Sequence, residues 1–306
     1  MANYKLLKRL NSIMHLLKSY PNISKQHLLD RLMTDYDMDV SERTLERDFQ
    51  NLKNEFGLDV IYNYDSKGYS VEDTAQLTTF FKFAELSSLA ELYAEGLKDY
   101  DTFQKWIIPD DSERFKGVEY LKPILNAITQ SLKLKFDKVN YYRKTEKQYT
   151  VNPIRIKEYL NRWYLVAVPD GQDEILNFGI DRISNLIVTD EPARKSDKFE
   201  EQLKNYEDIV GLNYNESINR EPEEIIVKTT NEQLKYLRSL PLHKSQVCID
   251  GQGGSNWGRV TYHLKPNYEF EIQLLKLGDQ VEVMEPKWFR DKIARHIKRI
   301  NTIYKN

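Results

Sequence analysis

The chain has 306 residues, of which 40% are hydrophobic and 30% charged, and its formal net charge is -2. That composition is ordinary for a soluble globular protein of two or three domains, and it excludes a globally basic nucleic-acid coat without excluding a local basic surface. The one cysteine, Cys248, excludes a disulfide framework or a thiolate metal site within one chain, and no apolar run is long enough for a membrane span, so a cytoplasmic setting without membrane contact is expected.

Leu6, Leu7, Leu10, Ile13, Met14 and Leu17 recur at helical spacing, giving an amphipathic first helix rather than a signal peptide. Pro21 and Asn22 end it, and Ser24 caps a short second helix carrying Leu28, Leu29 and Leu32. A polar stretch, Thr34 to Val40, leads to Ser41–Phe56, the most informative segment of the chain. At about 100° per residue, Leu45, Phe49, Leu52 and Phe56 form one apolar stripe, and Arg43, Arg47, Gln50 and Asn54 form the opposite one. Ser41 stands at the N-cap and Gly57 at the C-terminal stop. Arg, Gln and Asn are the side chains that pair bidentately with guanine or adenine edges, so this face suits a major groove. Alone, it would better suit an ordinary solvated helix surface.

The neighbours decide between these readings. Val60-Ile61-Tyr62, the turn Asp65-Ser66-Lys67-Gly68 and Tyr69-Ser70-Val71 predict a β-hairpin. Helix, helix, turn, amphipathic helix and hairpin is the order of a winged helix-turn-helix, here spanning 1–73. Arg43, Thr44, Arg47 and Gln50 are then candidates for base contact, and Lys53 and Lys67 for phosphate contact. Asp48 beside Arg47 is expected to orient an arginine or cap a neighbouring element, because phosphate repels a carboxylate. The segment Ser41-Glu42-Arg43-Thr44-Leu45-Glu46-Arg47-Asp48, with Gly68-Tyr69, resembles the N-terminal domain of a bacterial regulator family.

Residues 74–131 predict a helical connector: Leu77–Leu97, a turn at Ile107-Ile108-Pro109-Asp110-Asp111, and Phe115–Leu132. Five short strands follow within 132–192, at Leu132–Val139, Gln148–Ile156, Arg162–Val168, Ile175–Ile180 and Asn185–Val188, and suggest a small barrel. Alternation places Trp163, Leu165 and Ala167 on one side of their strand and Tyr164, Val166 and Val168 on the other. Trp163-Tyr164-Leu165, Asp181-Arg182-Ile183 and Val151-Asn152-Pro153 resemble, in order and spacing, the landmarks of WYL-domain transcriptional regulators. The resemblance implies an Sm-like β-barrel whose basic and aromatic pocket senses an anionic, nucleotide-like or oligonucleotide ligand. Arg155, Tyr164 and Arg182 are the ligand candidates. Two positions depart from the family pattern: Phe136 stands where tyrosine is usual, and Asn177 where arginine is common.

A charged stretch, 193–222, reads as a linker. Residues 223–306 predict β-α-β-β-α-β and a terminal helix opened by Pro286, which is a ferredoxin-like order. Leu242-His243-Lys244-Ser245-Gln246 and Gly278-Asp279-Gln280-Val281-Glu282-Val283 resemble the C-terminal extension of the same regulators. The glycine-rich loop 251–258 lies between two strands and has no P-loop lysine, so it reads as a hairpin. His15, His27, His243, His263 and His296 show no metal-ligand spacing, and no catalytic motif stands out. The sequence therefore predicts an α+β multidomain, ligand-responsive transcriptional regulator that is not an enzyme and uses neither metal nor cofactor. It would be a homodimer on a palindromic double-stranded operator. A nucleotide sensor acting through a protein partner and a nucleotide-acting enzyme are the alternatives.

Overall fold

The computed structural model describes residues 2–96, 98, 105, 116–140, 145–214, 220–253 and 255–305. The chain divides into two compact units, Met1–Asp110 and Asp111–Asn306. The turn expected at 107–111 lies outside the described residues.

In the first unit, α1 (Ala2–Ser19), α2 (Lys25–Tyr36) and α3 (Glu42–Phe56) precede a hairpin of β1 (Ile61–Asn63) and β2 (Gly68–Ser70), and α4 (Ala75–Gly96) follows. The caps are local. Ser24 Oγ accepts from the His27 amide and Ser41 Oγ from the Thr44 amide, and α3 stops at Gly57, whose φ of 64° is left-handed. Leu10, Ile13, Met14 and Leu17 of α1 meet Leu28, Leu32, Leu45 and Leu52 in a fully buried core. Phe49 and Phe56 lie at its margin, half-buried, where Phe49 meets Tyr69 of the hairpin (5.2 Å between ring centres).

The hairpin is tied to the helices through the main chain. Ile23, between α1 and α2, exchanges backbone hydrogen bonds with Tyr69 at 2.8 and 3.1 Å. This brings the Asn22 carbonyl so close to Gly68 that a Cβ there would lie 2.0 Å from the oxygen, so residue 68 must be glycine.

One polar contact governs how α3 sits. Asp48 is fully buried, and its carboxylate accepts two bonds from the Arg9 guanidinium of α1, at 2.5 and 2.8 Å. A bidentate arginine pair is the arrangement that best tolerates removal of a carboxylate from water. It holds α3 in one rotation about its own axis, with Leu45 and Leu52 inward.

The second unit opens with a 3-10 turn and α5 (Leu121–Gln130). The two helices grouped in sequence as a connector thus belong to different units: α4 buries Leu77, Phe80 and Ala84 in the first core, whereas α5 buries Ile124 and Ala127 in the second. A five-stranded antiparallel sheet follows, formed by β3 (Leu132–Asn140), β4 (Thr145–Tyr159), β5 (Arg162–Pro169), β6 (Leu176–Gly179) and β7 (Ile183–Pro192). The spatial order is β6-β5-β4-β3-β7. Leu165 through Pro169 are all buried because both faces of β5 are covered. Leu165 and Ala167 meet the α5 side, and Val166 and Val168 meet α6 (Asp197–Lys204) and the segment after it.

Two expectations are corrected here. Among the described residues the sheet does not close into a barrel: β6 and β7 are its two edges, joined by a 3-10 turn, Ile180–Arg182. The second face is covered from outside, so it need not curl on itself. The covering is the stretch 193–222, expected as a linker, of which 215–219 lie outside the described residues. Phe199, Leu203, Ile209 and Tyr214 are buried against Val166, Val168 and Ile175.

The C-terminal part has the predicted order of elements: β8 (Glu223–Thr230), α7 (Asn231–Ser239), β9 (Val247–Ile249), β10 (Trp257–Leu264), α8 (Tyr268–Leu275), β11 (Val281–Glu285) and α9 (Lys287–Tyr304). The sheet order is β11-β8-β10-β9, antiparallel throughout, and the glycine-rich segment is the β9–β10 connection. Ile225, Val227, Val260 and Tyr262 alternate inward to meet Leu234, Phe270 and Phe289.

The Asp48–Arg9 pair makes a stability prediction. Asp48→Ala leaves a largely desolvated guanidinium without its acceptor, and should destabilise the first unit by about 2 kcal/mol in urea unfolding followed by helical circular dichroism. An unchanged midpoint would mean that the pair does not fix α3.

Candidate functional site

The structure brings two groups of the sequence-predicted residues to notable surroundings. On α3, Arg43, Arg47, Gln50 and Asn54 are all exposed on the face opposite Leu45 and Leu52. Neither arginine has an ion pair or hydrogen bond among the described residues. The acidic neighbours on this helix are occupied elsewhere: Lys25 of α2 reaches Glu46 at 2.8 Å and Glu42 at 3.5 Å. The positive stripe is therefore not offset by its own helix.

Other predicted residues are differently placed. Thr44 is half-buried with its hydroxyl 2.9 Å from Ser41 Oγ, so it completes the cap rather than facing outward with the arginines. Lys53 is paired at 2.7 Å with Asp59, an exposed pair that competes only weakly with another anion. Lys67 occupies the hairpin turn with φ 52°, exposed.

In the second unit the centre of interest is Arg182, at the end of the turn from β6 to β7. Its Nε is buried and has no hydrogen-bond partner among the described residues, and Asp181 Oδ1 is 3.7 Å away. The other Asp181 oxygen lies 3.5 Å from Arg162. Gly179 pairs with Tyr164 across β5–β6, and a Cβ at 179 would lie 2.7 Å from the Arg182 guanidinium. The missing side chain is what lets Arg182 lie over the strand near Tyr164. Burial pushes the Tyr164 phenol up, while Arg182 and Arg162 pull it down.

Two lysines that sequence reasoning did not single out complete the group. Lys138 and Lys147 stand directly opposite each other on β3 and β4. The Lys138 ammonium is 5.1 Å from the centre of the Phe178 ring, and that of Lys147 is 4.8 Å from that of Tyr149. Burial, then the charges of Arg182 and Lys147, push the Lys138 ammonium below the ordinary lysine range. Like charges opposed across a ladder are unfavourable unless an anion sits between them. No carboxylate among the described residues pairs with either lysine. The signal in sequence was alternation: Lys138 shares a face with Phe136, and Lys147 with Tyr149.

Arg155 does not join this group. It is exposed and paired with Glu200 of α6 at 2.9 Å. The two departures from the family pattern also acquire structural roles. Phe136 is buried edge-on to Phe178 (5.2 Å between ring centres), where a hydroxyl would need a partner. Asn177 brackets the covering segment, accepting from Tyr206 Oη at 2.7 Å and donating to the Leu212 carbonyl at 2.9 Å.

Residues 119–188 match the WYL domain family model, and residues 221–300 match that of the WCX domain. No curated protein matches the chain. Among solved structures, the proteasome accessory factor B/C (PafBC) of Arthrobacter aurescens is similar at 18% identity and a TM-score of 0.29, over 97% of this chain and 46% of that one. A CRISPR Cas-related protein is similar at 13% identity and a TM-score of 0.38, over 99% of this chain and 86% of that one. The chain spans about half the length (46%) of the PafBC chain it resembles.

The covering segment makes a pH prediction. Burial pushes the Tyr214 phenol up to about 12 and the Tyr206 phenol well above its ordinary value. Both are raised above the unfolded value near 10, so their contribution to stability is complete below about pH 10 and is lost as pH rises through the folded values. Alkaline titration followed by phenolate absorbance should show these tyrosines ionising late and together with unfolding of the second unit. Ionisation of Tyr206 and Tyr214 near pH 10 in the folded protein would contradict their placement.

Proposed function

We propose that this protein is a ligand-responsive, DNA-binding transcriptional regulator. The observation that carries the reading is the α3 stripe, in which Arg43 and Arg47 stand exposed and unpaired beside Gln50 and Asn54 while the opposite face is locked into the core. In this reading residues 1–73 are a winged helix-turn-helix, α3 enters a major groove, and the β1–β2 turn with Lys67 meets the phosphate backbone. The Ile23–Tyr69 bridge and the Phe49–Tyr69 contact support it, because they hold hairpin and helix in one relative geometry.

The sensing end is the group around Arg182, with Lys138, Lys147 and Tyr164. Clustered cations beside aromatic rings suit an anionic ligand with a flat base, nucleotide-like or an oligonucleotide. The match to a WYL domain supports that assignment. The proposed role is binding rather than catalysis. A homodimer is supported by α4, whose apolar residues are not confined to one face: beyond those it buries, it leaves Phe83, Leu86, Leu89 and Leu92 between 38% and 52% exposed. A two-fold dimer would read a palindromic operator in the cytoplasm, and ligand binding would change the affinity for it by a coupling of about 1–3 kcal/mol.

Fluorescence anisotropy with duplex DNA from the flank of the protein's own gene tests this. Arg43→Ala and Arg47→Ala should each weaken binding by about 1–3 kcal/mol and relax sequence preference, whereas Arg182→Ala should leave DNA affinity intact and abolish the response to ligand. Wild-type binding by both α3 variants would remove α3 as the reading helix. Weak, sequence-indifferent binding by the wild type would favour a sensor that acts through a protein partner.

A further inference from the structure

The geometry points to a second polyanion site on the C-terminal part of the chain: a groove between α8 and α9 that holds the phosphodiester backbone of a single nucleic-acid strand. It goes beyond the reading above, using different residues on a different sheet.

The groove has a volume of about 680 Å³. Its floor is Glu271 of α8, only 3% exposed, which accepts from Lys292 Nζ at 2.8 Å and from His296 Nδ1 at 2.8 Å. Burial opposes the charge on Glu271, but these two bonds outweigh it and hold the carboxyl below its ordinary range. The one carboxylate in the groove is therefore fully engaged by α9.

The remaining cations of the wall are not. Arg295, Lys298 and Arg299 line the groove and have no ion pair among the described residues, in a chain whose net charge is -2. Arg295, Arg299 and Thr302 follow one another at i, i+4 and i+7, so they form one row along the helix, about 5–6 Å between neighbours. A flexible strand can lay successive phosphates along such a row. At the edge of the groove stands Tyr268, 52% exposed, an aromatic ring available for stacking by a base. A cationic track with an adjacent aromatic platform is the general design for holding single strands without reading sequence.

The groove uses none of the residues grouped around Arg182. On α8, Gln273 reaches the central sheet, donating to Tyr159 Oη at 3.2 Å, whereas Tyr268 and Glu271 line the groove. One helix therefore touches both the central sheet and the new site.

The probe is a fluorescein-labelled oligothymidylate of about twelve nucleotides, read by anisotropy on the full-length chain. The parent carries Arg182→Ala, which silences the central-sheet site. It should still bind, and adding Arg295→Ala with Arg299→Ala should weaken binding at least about tenfold and reduce the slope of log K against log salt by about 1.4, two contacts at about 0.7 each. Adding Tyr268→Ala instead should weaken it about tenfold with the slope unchanged. Equal binding by parent and groove variants would overturn the site. So would complete loss in the Arg182→Ala parent, which would place the strand on the central sheet alone. Binding of phosphatidylserine vesicles but not of the oligonucleotide, dependent on Arg295 and Arg299, would make the groove a membrane contact and overturn it too. None of these results bears on duplex binding by α3, which the variants at Arg43 and Arg47 test separately.

Discussion

A carboxylate cannot leave water alone, and the two that the described residues bury set the orientation of the helices around them. Asp48 turns into the first core and takes Arg9 with it, and Glu271 lies under α9 and takes Lys292 and His296. In each case the pairing is satisfied across two helices, so it fixes one helix relative to another more sharply than apolar packing alone does. The consequence is on the far side. With Asp48 fixed inward, Arg43 and Arg47 point outward with no acid of their own. With Glu271 engaged, Arg295 and Arg299 are left in the same condition. Buried pairing and exposed, unpaired cations are two sides of one arrangement.

The central sheet obeys a related constraint. A strand apolar on both sides must be covered twice, and here α5 supplies one cover and the segment through Tyr214 the other. That second cover is held by Asn177, which bonds to Tyr206 and the Leu212 carbonyl, and by Gln202, which accepts from the Ile175 amide and the Tyr214 hydroxyl. Lys138, Lys147 and Arg182 converge at one end of the sheet beside Phe178 and Tyr149. Lys138 and Lys147 have no carboxylate partner among the described residues, and Arg182 has only Asp181, 3.7 Å away, so positive charge is in excess there, as suits a place built for an anion.

Much of this was legible in the sequence, and the reason is locality. The helix from Ser41 to Phe56 announced itself through a 3.6-residue period and a cap at each end, and both are properties of neighbouring residues. The strands of both sheets were visible by alternation, and Trp163, Leu165 and Ala167 lie on the side that alternation gave them. What was not legible depends on residues far apart in the chain. Arg9 and Asp48 are 39 positions apart, and nothing local marks them as partners. The stretch after Pro192 looked like a linker because its charges outnumber its apolar residues, yet Phe199, Leu203, Ile209 and Tyr214 suffice to dock it. That cover, invisible locally, is also why a predicted barrel is an open sheet. Arg155 meets Glu200, 45 positions on, and nothing local marks that pairing either.

The account's central claim is that the exposed face of α3 reads DNA, and recovering and sequencing the DNA bound to the protein in its own cell tests it most directly. The claim predicts enrichment of one motif with two-fold symmetry, its half-sites about one helical turn or a multiple of it apart. Recovered fragments that share no motif, or no recovered DNA above background, would contradict it.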